Sequence, residues 1–507
     1  MKYSDHPQKD FPKITENRNR TFAGRGGQSR TQGRPVQPRS AQGRPAQNRM
    51  PQKKPAVRQR VAGEEGMPAR RLALKVIRQV TEEDAYASLS LDAALRGCGL
   101  IAADRRLVSR LVYDTLDHLI WLDYVLSQVM AREDTDIKLR NILRLGACQI
   151  LLEDRIPESA ATNTSVQLCA ELGMEGLKGV CNGILRNLIR KKDELVFPDP
   201  ETEPDRAAAI RLSLPLWLWK KLREDYGEEA EEIISPKNRT EGWTVRPNLT
   251  RVTDGEFEKI LEKKVWEKQK IPLPHAWRIQ GAMDIAADAD FRAGLFSIQT
   301  EGSMMACMAV DPQRGQTVLD CCAAPGGKTC YMAEMMGGTG RVQAWDIHEH
   351  RVKLIEAQAR RLGLENIRPM VRDAAKRREE LDRVMDCVLL DAPCTGLGML
   401  AEKPDLKLRV TEESLEEMKT IQANLLETVS AYVKPGGTLV YSTCSLLKDE
   451  NERQIRQFLE KHPEFDSADL PESIPETYRR YAKPDMQLRP DRDETEGFYL
   501  CRMRRKD

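Results

Sequence analysis

Two cysteines stand out by where they fall. Asp391-Ala-Pro-Cys394 and Tyr441-Ser-Thr-Cys444 each close an apolar run of strand-like content, so each puts a thiol just beyond a strand's carboxyl end. A third such run ends in Asp320-Cys-Cys-Ala-Ala-Pro-Gly-Gly-Lys-Thr329. Gly326 and Gly327 let the backbone approach a ligand with no Cβ in the way, and the helix that follows offers unpaired N–H groups. The run is neither G-x-G-x-x-G nor G-x-x-x-x-G-K-[ST], which disfavours a phosphate cradle. Two more strand-like runs end in carboxylates. Asp346, twenty residues beyond Gly326, suits the hydroxyls of a ribose, and Asp373 is placed for an adenine amino group. A glycine turn followed by two such carboxylates favours a nucleoside ligand.

Buried cysteines ordinarily behave as small hydrophobes, and Cys387, inside its strand, is read that way. Two thiols on one ligand-facing rim call for sulfur chemistry instead. A thiolate adds to soft conjugated carbon and departs by elimination, which suits C6 of a pyrimidine; C5 becomes nucleophilic only after that addition. An ordinary thiol, with a pKa of about 8.5, is a few per cent ionised at neutral pH, so nearby positive charge or a helix terminus must help. The base also needs a hydrogen bond at N3, for which Asp391, held partly neutral by burial, is the candidate. Amino-group methyltransferases typically carry Asp/Asn-Pro-Pro-aromatic at the fourth strand end, where this chain has Asp-Ala-Pro-Cys. Carbon is therefore preferred over nitrogen as the acceptor.

These residues need a scaffold. Strand candidates Thr317–Cys322, Arg341–Ile347, Ile367–Asp373, Asp386–Asp391 and Gly437–Thr443 alternate with helical segments. Such alternation predicts a largely parallel α/β sheet across residues 290–507, with its ligand beyond the carboxyl strand ends. Residues 67–192 read as all helical: after Pro68, Ala73, Val76, Ile77 and Val80 recur at helical spacing, and Leu107 to Ile120 and Leu139 to Ile150 carry similar stripes. Residues 193–210, acidic and Pro-rich, read as a linker. Residues 211–289 read as a small α+β module: a helix from Leu212 toward Ile234, strand-like content from Trp243 to Arg251 and a helix from Asp254 to Leu261. Within it Trp217 and Trp219 are read as packing residues, and Arg246 and Arg251 as candidates to meet RNA phosphates.

The 507 residues suffice for two to four domains. No apolar run approaches the roughly 18 residues of a membrane span, and no apolar stretch follows the N-terminal charges as in a secretory signal. Twelve cysteines lie scattered, without paired C-x-x-C motifs, which argues against zinc or any other metal and for a reduced cytoplasmic setting. Residues 1–60 hold 15 Lys and Arg against three Asp and Glu, leaving 65 against 75 for the remainder. With the low-complexity turns Gln32 to Pro35 and Gln42 to Pro45, residues 1–66 read as a disordered basic tail, either an auxiliary RNA contact or simply solubilising.

The segment from Phe296 to Met503 resembles the catalytic domain of the RNA cytosine-5 methyltransferases; Cys-Ala-Ala-Pro-Gly-Gly-Lys, Asp-Ala-Pro-Cys and Ser-Thr-Cys-Ser together are highly specific for that family. Ala161-Thr-Asn-Thr-Ser-Val166 and Gly179-Val-Cys-Asn-Gly-Ile-Leu-Arg186 resemble the last two helices of the NusB-type RNA-binding fold. The likeness covers roughly residues 68–505. It implies a Rossmann-like class I methyltransferase domain preceded by an all-α NusB-like domain and the small α+β module. It further implies S-adenosyl-L-methionine as cofactor, with Cys322, Ala323, Ala324, Pro325, Gly326, Gly327 and Lys328 around its methionine part, Asp346 at the ribose, Asp373 on the adenine side and Asp391 between cofactor and base. Cys444 would be the nucleophile at C6, and Cys394 would help release the product. DNA cytosine methyltransferases use their Pro-Cys cysteine as nucleophile, so this assignment follows from the resemblance and not from spacing.

The NusB-like half implies small-subunit (16S) ribosomal RNA as the partner, before full assembly, bound by a monomer; the base must be unstacked to reach the pocket. Two alternatives are a transfer RNA substrate with the same chemistry and a non-catalytic NusB-like RNA-binding or antitermination factor, against which the two rim thiols speak. The chain departs from the family in two places. Ala401-Glu402 stand where a pair of arginines often precedes Lys403-Pro404-Asp405, and Glu494-Thr-Glu-Gly-Phe498 replaces Gly-Thr-Asp-Gly-Phe.

Overall fold

Apolar side chains at helical spacing build the first part of the fold. In the computed structural model, which describes residues 66–132, 134–235, 242–281, 284–482 and 484–507, Pro68 sits in the first turn of a helix Met67–Glu82. Helices Ala87–Leu95, Ala102–Asp117, Leu119–Val129, Ile137–Leu151, Glu158–Glu171 and Lys178–Lys191 follow. Their stripes meet in one core that includes Val76, Ile77, Leu111, Leu116, Ile142, Leu143 and Leu185. The basic segment 1–65, to which the tail reading applies, lies outside the described residues.

The next stretch departs from the sequence reading. A helix Pro204–Arg211, opened by a proline in its first turn, occupies the end of the expected linker. With Leu216–Tyr226 and Ala230–Ile233 it packs onto loops of the catalytic domain: Leu218, Trp219 and Leu222 share a core with Leu397, Val410, Leu446 and Leu447. Trp219 is buried there, and its indole N–H donates to Asp205 at 3.1 Å. A separate antiparallel sheet, ordered β2-β3-β1-β4, consists of β1 (Trp243–Pro247), β2 (Glu267–Lys270), β3 (Trp277–Gln280) and β4 (Phe296–Ile298). Strand β4 lies beyond residue 289, so the sheet of the small module takes in a strand that the sequence reading gives to the catalytic domain. The helix Asp254–Glu262 covers this sheet, starting at a capping box in which Thr253 and Glu256 satisfy each other's backbone N–H.

The catalytic sheet follows. Strands β5 (Thr317–Asp320), β6 (Arg341–Asp346), β7 (Ile367–Val371), β8 (Met385–Asp391) and β9 (Val433–Thr443) lie near their predicted positions and pair in parallel in the order β7-β6-β5-β8-β9. The sheet is mixed, however. Strand β12 (Phe498–Arg505) runs antiparallel beside β9, and β10 (Phe465–Ser467) and β11 (Met486–Leu488) both pair with β12. The strand order reverses direction between β5 and β8, which opens the crevice where ligands bind in such sheets.

Arg246 is a correction to the sequence reading. It is 1% exposed, reaches from β1 to Glu334 on the helix Gly327–Met335 at 2.5 Å, and donates to Gln299 at 2.7 Å. Its guanidinium also lies 4.0 Å from the Tyr331 ring centre. A cation enclosed in this way cannot meet RNA phosphate; it pins the small sheet to the catalytic domain. Arg251 instead donates to the Ala293 carbonyl at 2.5 Å from an exposed position. Removing one partner of a buried ion pair strands the other, so Arg246→Ala is expected to destabilise the fold by about 3–5 kcal/mol in urea unfolding. A loss below about 1 kcal/mol would show that the pair does not anchor the sheet.

Candidate active site

Strand register brings the two cysteines together. β8 and β9 pair with Asp391 opposite Ser442, and Cys394 and Cys444 follow three and two residues later. Their sulfur atoms lie 3.4 Å apart, both are free thiols, and both are partly exposed. The backbone behind Cys444 is held by two crossing strands of loop. Gly398 N donates to the Cys444 carbonyl at 2.9 Å, and Gly497 N donates to the Gly398 carbonyl at 2.9 Å. A Cβ on Gly398 would stand 1.8 Å from the Gly497 oxygen, so only glycine fits the crossing.

Charge around the pair is uneven. Lys328 Nζ lies 2.7 Å from Asp391 Oδ2, and Ser442 Oγ donates to Asp391 Oδ1 at 2.9 Å. The hydrogen bond with Cys394 pulls the Cys444 pKa below that of an ordinary thiol; burial and Asp391 oppose this, while Lys328 and Lys403 add to it. The same contact, followed by burial, pushes Cys394 well up, leaving it as the proton donor of the pair. Burial alone would lower Lys328, but the attraction of Asp391 outweighs it, so the ammonium is held charged. Asp391 is thus met on one oxygen by an ammonium and on the other by a hydroxyl donor. The positive charges that favour the Cys444 thiolate, which spacing could not disclose, are those of Lys328 and Lys403.

The glycine turn opens the cofactor side. Gly326 has φ +105°, and a Cβ there would come 3.1 Å from Ile355 Cα; the next residue, Gly327, starts the helix Gly327–Met335 with nothing within 4 Å of its Cβ position. A cleft of about 1040 Å³ is lined by Cys322, Ala323, Ala324, Pro325, Gly327, Lys328 and Asp391 together with Lys403, and it reaches Trp243 on the small sheet and Tyr113 on the helical domain. Gly326, Asp346, Asp373, Cys394 and Cys444 are not among the residues that line that cleft. Asp346, 3% exposed, ends β6 and accepts the His348 N–H at 3.0 Å; Asp373 follows β7 and accepts the Ala375 N–H at 3.0 Å.

Sequence reasoning missed Asp320, the last residue of β5. It lines the cleft and is 1% exposed; Oδ2 accepts from Thr329 at 2.6 Å, while Oδ1 is buried with no hydrogen-bond partner. Burial pushes its pKa up to about 7. Its position at a strand end, like that of Asp346, was the available signal. An unpartnered carboxylate oxygen in the cleft, with Asp391 also lining it and Asp346 and Asp373 at or just beyond the ends of β6 and β7, suits a ligand carrying ammonium and sulfonium charge. The residues present therefore fit S-adenosylmethionine. Among the described residues no cluster of three or more His, Cys, Asp or Glu could hold a metal, and no helix is long and apolar enough to cross a membrane.

Comparison with known proteins agrees with this geometry. Residues 307–504 match the family described as 16S rRNA methyltransferase RsmB/F, residues 67–190 match the NusB family, and residues 214–286 match the ferredoxin-like domain of RsmF/B-like methyltransferases. The chain is 34% identical to the probable ribosomal RNA small subunit methyltransferase B of Bacillus subtilis over 86% of its own length and 98% of that protein's. It is 31% identical to the ribosomal RNA small subunit methyltransferase B of Klebsiella pneumoniae over 86% and 97% of the two chains. The crystal structure of PH0851 superposes with a TM-score of 0.74 at 28% identity, covering 86% of this chain and 98% of that one. A methyltransferase homolog from Pyrococcus horikoshii superposes with a TM-score of 0.52, also at 28% identity, over 61% of this chain and all of that one. With its NusB domain, ferredoxin-like module and methyltransferase domain in that order, the chain belongs to the RsmB/F family of small-subunit ribosomal RNA methyltransferases.

Proposed function

We propose that this protein methylates C5 of a cytosine in 16S ribosomal RNA, in the cytoplasm and as a monomer, through a covalent bond between Cys444 and C6 of the base. The observation that carries the reading is the sulfur pair beyond β8 and β9: Cys444 and Cys394 at 3.4 Å, with the Lys328–Asp391 ion pair at the same strand end. The electron pair of a Cys444 thiolate forms the bond to C6, and the C5–C6 π pair it displaces spreads over C5 and the N3 side of the ring, making C5 nucleophilic. Lys328, held as an ammonium beside Asp391, can donate a hydrogen bond toward the N3 side and steady the charge that builds there. When bound, S-adenosylmethionine supplies a methyl group as an electrophile at C5. Loss of the C5 proton then sends the C–H electron pair back to form the C5–C6 double bond and expels the Cys444 sulfur. The C5 proton passes to solvent, and Cys394, the protonated partner, assists the release by hydrogen bonding to the departing sulfur.

The residues toward the cofactor divide by chemistry. Asp320 and the Cys322–Lys328 turn would hold its methionine end, Asp346 its ribose and Asp373 its adenine side. For the RNA, the cleft reaches both accessory parts through Tyr113 and Trp243, which supports a substrate strand contacted by all three. A base presented this way must be flipped from its stack.

Two sets of outcomes test the reading. With labelled cofactor and a 16S RNA fragment, Cys444→Ala is expected to lose on the order of 10³-fold or more in kcat. Cys394→Ala should instead accumulate a denaturant-stable protein–RNA adduct on gels. Full-rate methylation by Cys444→Ala would overturn the assignment. Activity should rise with pH as Cys444 ionises and reach its plateau below the pH at which an ordinary thiol would. Removing the Lys328 charge favours the thiol form, so Lys328→Met should move the Cys444 alkylation midpoint, measured without cofactor, to higher pH; an unchanged midpoint would remove Lys328 from thiol activation.

A further inference from the structure

One buried carboxylate behind the cysteines takes no part in the chemistry above. Glu450 is fully buried, yet each of the four donors to its carboxylate is uncharged. Oε1 accepts from Thr395 N at 2.9 Å and Gln422 Nε2 at 3.0 Å. Oε2 accepts from Thr395 Oγ1 at 2.5 Å and from the Ser445 hydroxyl. Thr395 follows Cys394 and Ser445 follows Cys444, so one carboxylate ties together the residues after both cysteines. The other sides are held as well. Gln422 donates to the Pro393 carbonyl at 2.9 Å, and Asn451, next to Glu450, accepts from Thr443 Oγ1 at 2.6 Å while donating to the Ser445 carbonyl at 2.9 Å. The Tyr441 hydroxyl donates to the Glu450 carbonyl at 2.7 Å and ties the arrangement to β9.

Burying a carboxylate without a cation is costly, and a fold gains no core by doing so. What the four donors, with the neighbouring Asn451, secure is spacing: residues 393 and 395, held through Gln422 and Glu450, bracket one sulfur, and 443 and 445, held through Asn451 and Glu450, bracket the other. We propose that Glu450 is a positioning residue for the reaction, which sets the approach of the two sulfurs by clamping the turns that carry them. The inference rests on Cys444 being the nucleophile. The clamp is also asymmetric. Glu450 receives two bonds from Thr395, beside Cys394, and its negative charge disfavours ionisation there. The other charges facing the pair are Lys328, Asp391 and Lys403. Glu450 thus helps decide which sulfur keeps the proton and which attacks.

Glu450→Ala and Glu450→Gln test this with the full chain, labelled cofactor and a 16S RNA fragment. Glutamine can keep all four contacts if the Thr395 and Ser445 hydroxyls reverse; alanine keeps none. For the alanine variant kcat should fall about 10- to 100-fold with KM for cofactor and RNA unchanged, since a small misplacement of reacting groups is that expensive. The glutamine variant should recover most of the loss. With limiting iodoacetamide at neutral pH, peptide mapping of the wild type should find label on Cys444 in preference to Cys394, and the alanine variant should spread it over both. Wild-type kcat and labelling ratio in Glu450→Ala would overturn the proposal. So would activity lost only in proportion to unfolding, with the labelling preference intact in the folded fraction. If Cys444→Ala stays active in the same assay, the nucleophile assignment fails instead, so the two failures are distinct.

Discussion

The parallel pairing of β8 with β9 is the constraint on which the rest of the site depends. Asp391 opposite Ser442 is a statement about register, and because side chains alternate along a strand, a slip of one residue would turn each set to the other face. At the observed register the chain leaves both strands at nearly the same height, and the two thiols meet at 3.4 Å. The ammonium of Lys328, at the start of the helix after β5, reaches the same point and pairs with Asp391. One cation therefore orients the carboxylate and favours the Cys444 thiolate.

The accessory parts bear on the loops that follow the cysteines. Lys407 donates to Asp117 at 2.7 Å, Asp405 accepts the N–H of Ala87 at 3.1 Å, and Arg409 donates to the Asp84 carbonyl at 2.8 Å. The Asp405 of the Lys-Pro-Asp run is thus spent on docking the helical domain. On another side, Leu218, Trp219 and Leu222 pack on Leu397 and Leu446, just beyond Cys394 and Cys444, and the Tyr226 hydroxyl donates to the Leu446 carbonyl at 2.6 Å. These contacts join the helical domain and the helices that follow it directly to the loops beyond the two cysteines.

How much of this was legible in the sequence follows from the range of each interaction. Strand ends, the glycine turn and the two cysteines are local features, so alternation and turn chemistry located β5 to β9 and the rim residues. Strand β12 was not among the predicted strands because three arginines interrupt the apolar pattern of Phe498-Tyr-Leu-Cys-Arg-Met-Arg-Arg505, although its pairing with β9 buries Leu500, Cys501 and Met503. Arg246 was misread because its partner Glu334 lies 88 residues away; nothing nearby distinguishes an enclosed arginine from a surface one. Burial of Asp391 could be anticipated, but Lys328, 63 residues upstream, could not be named as its partner. Glu450 sits in a charged Lys-Asp-Glu-Asn run that reads as a solvated turn, and only the fold carries it inside.

The central claim is that Cys444, and not Cys394, forms the bond to the base. The most direct measurement replaces the target cytidine of a 16S RNA fragment with 5-fluorocytidine, whose fluorine cannot leave as the C5 proton does, so that the adduct is trapped after methyl transfer. Digestion and tandem mass spectrometry then locate the nucleotide on the protein. The account predicts a methylated fluorocytidine on the peptide carrying Cys444. The nucleotide on the Cys394 peptide, or methyl transfer with no covalent adduct, would contradict it.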